Sequence, residues 1–473
     1  MAMGDDATDQ TNDAGPVKKR KRLSKKERNN LKKLKKQETK QRAKEESSSS
    51  PATTIVTEAN FLEGYTPITD IPESANKEEV KIKAKSLGKW FPTAKVVKSN
   101  DSQKPGSNST NKRSSLLLFY QYAQPIWPQE KVDRLLKLLV YIGKERYLGG
   151  RIRVAREGVN ATVSCFGGAA IRHLAEDLKA FDSKVFSETD FKFIDDLAPD
   201  RHFKDLKVYP VQEIVYYGIQ ENEAPLYKGG VHLDPVKYHE KLKEDNTVVI
   251  DVRNHYEAAI GRFDGQKLSR EKEGAEYIDP KMRRSTDFPS WLASEDTQKK
   301  LEGKQVLMYC TGGVRCERAS AYLKSKIGDK VDGVYQLKGG IERYFKDFPD
   351  GGFWRGKNYV FDKREAVGVE NPDGDGGVVR KLSKSEKMMM NANLQTNCCC
   401  CGSPWDRYIG KKRCFTCGVP VLMCNKCMSL KPDKNPEMKL KVRCPLCVEG
   451  NLTEEFSEPN GTKVTGKRGE QEN

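Results

Sequence analysis

The sequence predicts an α+β multidomain chain: a ferredoxin-like domain, then an α/β domain on a parallel sheet, then a small Cys-rich zinc module. Three observations predict it. Residues 115–220 run strand, helix, strand, strand, helix, strand, the order of the ferredoxin-like sandwich. Residues 228–350 alternate apolar strands with helical segments, as a parallel sheet with covered faces requires. Residues 398–447 hold four Cys-x-x-Cys pairs, a spacing at which one turn offers two thiolates to one tetrahedral metal.

Each segment follows from its residues. Residues 1–55 are Lys-rich, poor in apolar side chains and end in Ser47, Ser48, Ser49 and Ser50, so they read as a disordered basic tail. Within it, Lys18-Lys19-Arg20-Lys21-Arg22 has the composition of a nuclear-import signal, which RNA-binding tails share. Residues 56–114 form a partly ordered extension, with Phe61, Tyr65, Trp90 and Phe91 available to pack, closing in a polar linker over 98–114. In the first domain, 115–122 is a strand. Val132, Leu135, Leu136, Leu139 and Ile142 mark one face of a helix over 128–145. Strands 150–155 and 159–165 flank the turn Arg156-Glu157-Gly158. Ile171, Leu174, Ala175 and Leu178 mark a helix over 169–181, and 191–194 and 207–217 supply the last strands. Arg156 and Asn160 invite an acylphosphatase reading, but no phosphate-cradling loop follows the first strand. An aromatic extension and linker spans 351–397, including the Gly/Asp-rich spacer 371–377, and 448–473 reads as a disordered tail.

The chemistry concentrates in Met308-Tyr309-Cys310-Thr311-Gly312-Gly313-Val314-Arg315-Cys316-Glu317. The apolar run 305–309 reads as a buried strand ending on Cys310. A Gly-Gly loop follows, and a helix is predicted to start at about Cys316. Loop N–H groups and a helix N-terminus both favour an anion, so Cys310 is predicted to be a thiolate of lowered pKa. Thr311, Gly312, Gly313 and Val314 form the cradle, and Arg315 adds a positive charge. Four residues separate Cys310 from Arg315. Cysteine phosphatases of similar strand–loop–helix layout use a longer loop, so the shorter one suits a terminal sulfur on the cysteine better than a phosphoryl group. Upstream, Asp251-Val252-Arg253 closes another apolar strand, with Glu257, Gly261 and Gly265 beyond it. Cys316 is close enough in sequence to resolve an oxidised or persulfidated Cys310 as a disulfide, or to be a plain small residue at a helix start. His232, Asp234 and His239 raise the question of an iron site. They fall within eight positions, though, where a facial triad draws on separate strands. Asp234 before Pro235 is better read as a helix cap.

Composition narrows the class. No apolar run approaches a membrane span, and the start of the chain has no signal-peptide core. The expectation is a cytoplasmic protein, nuclear if the basic run acts, and not secreted. In such a compartment the 13 cysteines serve metal or catalysis rather than disulfides. The formal charge of +17 is uneven: residues 17–46 contribute +11 and residues 398–447 contribute +7, leaving the remainder at −1. Positive charge at a tail and at the Cys-rich module points to a polyanion, tRNA or other RNA, with no membrane contact. The module's ligands are Cys398, Cys401, Cys414, Cys417, Cys424, Cys427, Cys444 and Cys447, eight thiolates for two structural zinc ions. A cross-brace and a sequential pairing both fit, and Cys399 or Cys400 could replace a ligand of the first site. Modules of this kind also bind proteins.

These motifs resemble a known family. The loop 310–315 resembles that of rhodanese sulfurtransferases. The longer string Tyr309 to Glu317, with Arg156-Glu157-Gly158-Val159-Asn160-Ala161-Thr162-Val163-Ser164, Val231-His232-Leu233, Asp251-Val252-Arg253-Asn254, Lys338-Gly339-Gly340-Ile341 and the segment from Trp354-Arg355-Gly356 to Phe361-Asp362, resembles the bacterial tRNA uridine(34) hydroxylase family. The resemblance covers about residues 115–365. It implies an acylphosphatase-like first domain, a rhodanese domain, and oxygen-dependent 5-hydroxylation of the tRNA wobble uridine. The tail and zinc module resemble eukaryotic relatives. Three readings stand at this point: a hydroxylase with Cys310 as essential thiolate; a persulfide sulfurtransferase in which Arg253 and Arg315 bind an anionic donor; and a non-catalytic RNA-associated platform, against which the intact Cys310 and Arg315 speak.

Overall fold

A computed structural model describes residues 58–72, 95–98, 113–220, 222–264, 274–368, 397–408, 412–429, 441–450 and 452. The tail 1–55 with its Lys18–Arg22 run, Gly265 and the spacer 371–377 lie outside the described residues.

The first domain contains β1 (Lys95–Lys98), β2 (Ser114–Tyr122), α1 (Gln129–Glu145), β3 (Gly149–Ala155), β4 (Gly158–Phe166), α2 (Ala169–Phe181), β5 (Lys192–Leu197) and β6 (Asp205–Pro210). The strand order β5-β2-β4-β3 is the ferredoxin-like arrangement. Two strands extend it: β6 lies parallel to β3, and β1 lies antiparallel to β6 at the edge. The hairpin turns on Arg156 and Glu157, with Ala155 opposite Gly158. Both helices bury the apolar stripes read from the sequence against Leu117, Phe119, Ile152, Val154, Val159, Ala161 and Val163 on one sheet face. Of the 56–114 extension, Tyr65 packs on this domain: its ring stacks on His173 at 3.8 Å and its hydroxyl joins the buried Arg146–Asp177 pair.

One strand differs from expectation. Residues 207–217 do not stay on the sheet; β6 ends at Pro210. Glu157 of the hairpin accepts from Ile214 N–H at 2.7 Å, which draws the chain off the sheet and toward the next domain. Arg156 donates to Trp127 O, and Asn160 to Ile214 O, so both act inside the fold and not on a phosphate.

The second domain contains β7 (Val231–Leu233), α3 (Pro235–Lys241), β8 (Thr247–Asp251), α4 (His255–Ala258), β9 (Gly261–Phe263), β10 (Glu276–Ile278), β11 (Gln305–Tyr309), α5 (Val314–Ile327), β12 (Gly333–Leu337) and α6 (Gly340–Asp347). Five strands pair in parallel in the order β10-β8-β11-β12-β7. Every residue of β8 is buried, as expected of a central strand covered on both faces. The aromatic extension belongs to this domain. Its β13 (Trp354–Tyr359) pairs with β9 and with β14 (Ala366–Gly368), and Trp354 is wholly buried among Phe263, Tyr309 and Tyr344.

The two domains share a buried ion pair, Glu157 of the hairpin with Arg318 of α5. Arg318 also donates to Ala224 O. Replacing Glu157 with Gln keeps the shape but leaves the guanidinium without its charge partner, at an expected loss of about 1–3 kcal/mol. A fall in the urea midpoint with unchanged m-value would show it.

Candidate active site and metal centres

β11 delivers Cys310 to the loop, and α5 starts at Val314, two residues earlier than expected. The reason is Gly313, whose φ of +103° turns the chain directly into the helix. A Cβ there would lie 2.8 Å from the Tyr120 hydroxyl. The other side of the loop rests on α6: Ile341 N–H donates to Cys310 O at 3.1 Å and Glu342 N–H to Thr311 O at 3.2 Å. This approach needs Gly340, where a Cβ would meet both carbonyls within 2.7 Å.

The Cys310 sulfur is wholly buried and accepts from Gly313 N–H at 3.1 Å. Burial pushes its thiol up. The Cys316 thiol, the Arg315 charge and the N–H groups of Arg315 and Gly313 outweigh that, and hold it at about 6. Cys316, in the first turn of α5 and equally buried, is pushed well above the ordinary thiol range by burial and by the hydrogen bond and charge of Cys310.

Arg315 donates to both Glu257 oxygens, at 2.7 and 2.8 Å, and to Thr311 Oγ1 at 3.3 Å. Glu257 itself closes a capping box with Asn254 at the start of α4. Arg253 is fully buried and donates to both Asp251 oxygens, at 2.9 and 2.6 Å, and to Gly261 O at 2.6 Å. Asp251 also accepts from the Tyr309 hydroxyl at 2.7 Å. Asp251 and Arg253 thus lock the end of β8 to β11 and β9. Each of the two guanidinium groups is thus forked onto a buried carboxylate.

The first domain roofs the loop. Lys192 Nζ donates to Gly312 O at 3.1 Å and Gly339 O at 2.7 Å. Tyr120 donates to Glu317 Oε1 at 3.0 Å, and Tyr217 to Arg315 O at 3.1 Å. Sequence reasoning did not single out Tyr120, Lys192, Tyr217, Glu317 or the Glu257 partnership. A signal existed for one of them: on β2 the period of two places Tyr120 on the sheet face opposite Leu117 and Phe119.

His232, Asp234 and His239 do not converge. His232 Nε2 lies 2.8 Å from Glu317, whose hydrogen bond raises its pKa. Asp234 accepts from Lys237 N–H as the cap of α3, and His239 Nδ1 lies 2.7 Å from the Tyr344 hydroxyl.

Among the described residues, two groups could hold a metal ion: Cys398, Cys401, Cys424 and Cys427, and Cys414, Cys417, Cys444 and Cys447. Within each, the sulfurs lie within 4.8 Å of one another. First joins third and second joins fourth, which makes the module a cross-brace. Cys424 N–H donates to Cys398 Sγ and Cys444 N–H to Cys414 Sγ, the hydrogen bonds that metal-bound thiolates accept. Cys399 and Cys400 stay outside both sets. Helix Pro445–Glu449 carries the module two residues past its expected end. The module docks on the second domain through Tyr408 to Tyr256 O at 2.6 Å, Arg283 to Leu446 O at 2.9 Å and Lys357 to Asp406 at 2.6 Å.

A strand-terminal thiolate in a short loop before a helix, on a five-stranded parallel sheet, defines a rhodanese-type thiol protein. Residues 234–347 match the Rhodanese-like domain, 114–214 the UPF0176 acylphosphatase like domain, and 355–447 the Rhodanase C-terminal region. Rhodanese-like domain-containing protein 6 of Arabidopsis thaliana is 34% identical over 66% of this chain and 50% of its own length. The tRNA uridine(34) hydroxylases of Listeria monocytogenes and Brucella ovis are each 36% identical, over 54% and 51% of this chain and 72% of their own. The chain belongs to the tRNA uridine(34) hydroxylase family. It spans half the length of the plant relative. Among the described residues, no helix is long and apolar enough to cross a membrane.

Proposed function

We propose that this chain hydroxylates the wobble uridine of tRNA at C5, with Cys310 as the nucleophile. The observation that carries the reading is the buried, thiolate-favouring Cys310, fixed by the Gly313 N–H in a loop that resembles that of the RNA-modifying family. The thiolate adds to C6 of the uracil. C5 then gains electron density and becomes the carbon that reacts with oxygen, and loss of the thiolate restores the ring. Arg315, held by Glu257, keeps positive charge beside the sulfur as it leaves. The metal sites are read as zinc: four thiolates in a closed set suit a structural tetrahedral ion, which supplies folding energy and not chemistry. The tail and the Cys-rich module supply the positive charge that tRNA binding needs.

Nucleoside mass spectrometry on tRNA from cells lacking the protein tests this. Loss of 5-hydroxyuridine-derived wobble nucleosides, restored by the wild type and not by Cys310→Ser, is the expected result. Full rescue by Cys310→Ser would end the reading. The rate should rise as pH increases through about 6, where Cys310 loses its proton, and level off above it. The short loop keeps a sulfurtransferase reading in play, and a missing thiolated nucleoside in the same spectra would favour it. The engagement of Arg253 and Arg315 with carboxylates argues against an anionic sulfur donor.

A further inference from the structure

Hydroxylation by oxygen leaves an electron balance to close. Converting C5–H to C5–OH takes one oxygen atom and two electrons from the ring. The second oxygen atom needs two more electrons and two protons to leave as water. A pair of thiols that becomes a disulfide releases that number of each.

We propose that Cys316 is the redox partner of Cys310, and that the two thiols supply these electrons in every turnover, ending as a Cys310–Cys316 disulfide. The inference rests on the hydroxylase reading and names its reductant. Cys316 is 0% exposed, stands in the first turn of α5 with its N–H on Gly313 O, and lies in the same buried cluster as Cys310. The same Gly313 holds the Cys310 sulfur through its N–H at 3.1 Å, so one residue anchors both cysteines. Of the other cysteines, eight form the two metal-binding sets, Cys165 lies in the first domain's core, and Cys399 and Cys400 belong to the Cys-rich module.

The steps balance. Cys310 adds to C6, and the C5 carbanion takes up O2 and a proton as a C5 hydroperoxide. Cys316 attacks its outer oxygen, leaving a C5 hydroxyl and a Cys316 sulfenic acid. Cys310 departs from C6 as the C5 proton is lost, giving 5-hydroxyuridine. Cys310 thiolate then displaces hydroxide from the sulfenic acid, which takes a proton and leaves as water. The sum is uridine, O2 and two thiols giving 5-hydroxyuridine, a disulfide and water. The oxidised site stays charge-balanced because Arg315 keeps Glu257. A small thiol or dithiol must reduce the disulfide before the next cycle.

The test is a limited-turnover experiment with the full chain, reduced, freed of thiol without air, and then mixed with aerated unmodified tRNA transcript carrying a wobble uridine. The expected yield is one 5-hydroxyuridine per chain, resuming on addition of dithiothreitol. Trypsin cuts between the two cysteines at Arg315. The disulfide therefore appears as the 305–315 peptide joined to Cys316-Glu317-Arg318, two hydrogens lighter than the separate peptides. Cys316→Ser keeps a hydrogen-bond donor beside Cys310 and cannot form the bond, so its product should be lost even with dithiothreitol. Repeated turnover without thiol, with both cysteines still reduced, or full activity of Cys316→Ser, would overturn the proposal and leave the hydroxylase reading intact. Absence of 5-hydroxyuridine from wild type under air and thiol would overturn both.

Discussion

Arg315→Met is expected to lower stability by about 3–5 kcal/mol and to shift the titration of Cys310 upward. The first effect is a buried-charge effect. Glu257 is 0% exposed and forked onto Arg315; without the guanidinium its carboxylate is left charged in the interior, and breaking such a pair by removing one partner is strongly destabilising. The second effect comes from the same charge seen from the other side. Arg315 is one of the groups that hold Cys310 at about 6 against its own burial. Remove it and the thiol moves toward the ordinary value near 8.5, so the thiolate fraction at pH 7 falls. Urea unfolding reads the first, and the pH dependence of Cys310 alkylation reads the second. Glu257→Gln separates them: it also breaks the pair and destabilises, but it leaves the positive charge beside the sulfur, so alkylation should not move to higher pH. Equal upward shifts in both variants would contradict the electrostatic account.

Removing the metal should have the larger structural effect. Structural zinc in small Cys-rich folds contributes apparent binding energies of about 10–16 kcal/mol, most of which is folding energy. The sites interleave along the chain: the Cys414/Cys417 pair lies between the two halves of the first site, and Cys424/Cys427 between the two halves of the second. Losing one ion frees segments that shape the other. A strong chelator is therefore expected to release two ions per chain in one phase, and Cys424→Ser to lose both. Elemental analysis gives the count and the identity of the metal. Retention of one tightly held ion by Cys424→Ser would show the sites to be independent. Because Tyr408, Leu446 and Asp406 anchor the module to the second domain, its collapse should also expose Tyr256 and Arg283 to protease and solvent.

What was legible in the sequence was what is local. The Cys310 loop, the helical stripes of α1 and α2 and the Asp234 cap each depend on residues within a turn or two of one another, and pattern reveals them. The Cys-x-x-Cys pairs of the two sets that could hold a metal were readable for the same reason, and their pairing was not, since two adjacent thiolates say nothing of which distant pair completes the set. Arg253 and Arg315 look alike in a string; only the packed fold shows that each is matched to its own buried carboxylate. Lys192 reaches the loop across 120 residues of chain, a closeness that no periodicity encodes. The strand 207–217 was overextended because β-branched and aromatic residues (Val211, Ile214, Val215, Tyr216, Tyr217) continue past Pro210, while a hydrogen bond from Ile214 N–H to Glu157 draws the chain off the sheet.

The placement of Trp354 bears on how the molecule can be divided. The rhodanese-like match ends at residue 347, which suggests a convenient place to stop a fragment. Such a fragment would lack β13, leaving the edge of β9 unpaired and Phe263 and Tyr344 without the indole they pack against. Deleting a buried Trp from a core typically costs about 3–5 kcal/mol, and here a strand goes with it. A fragment ending there should be recovered as aggregate, and one carried to Gly368 as a folded, cooperative unit, so the working boundary of the catalytic domain falls past β14.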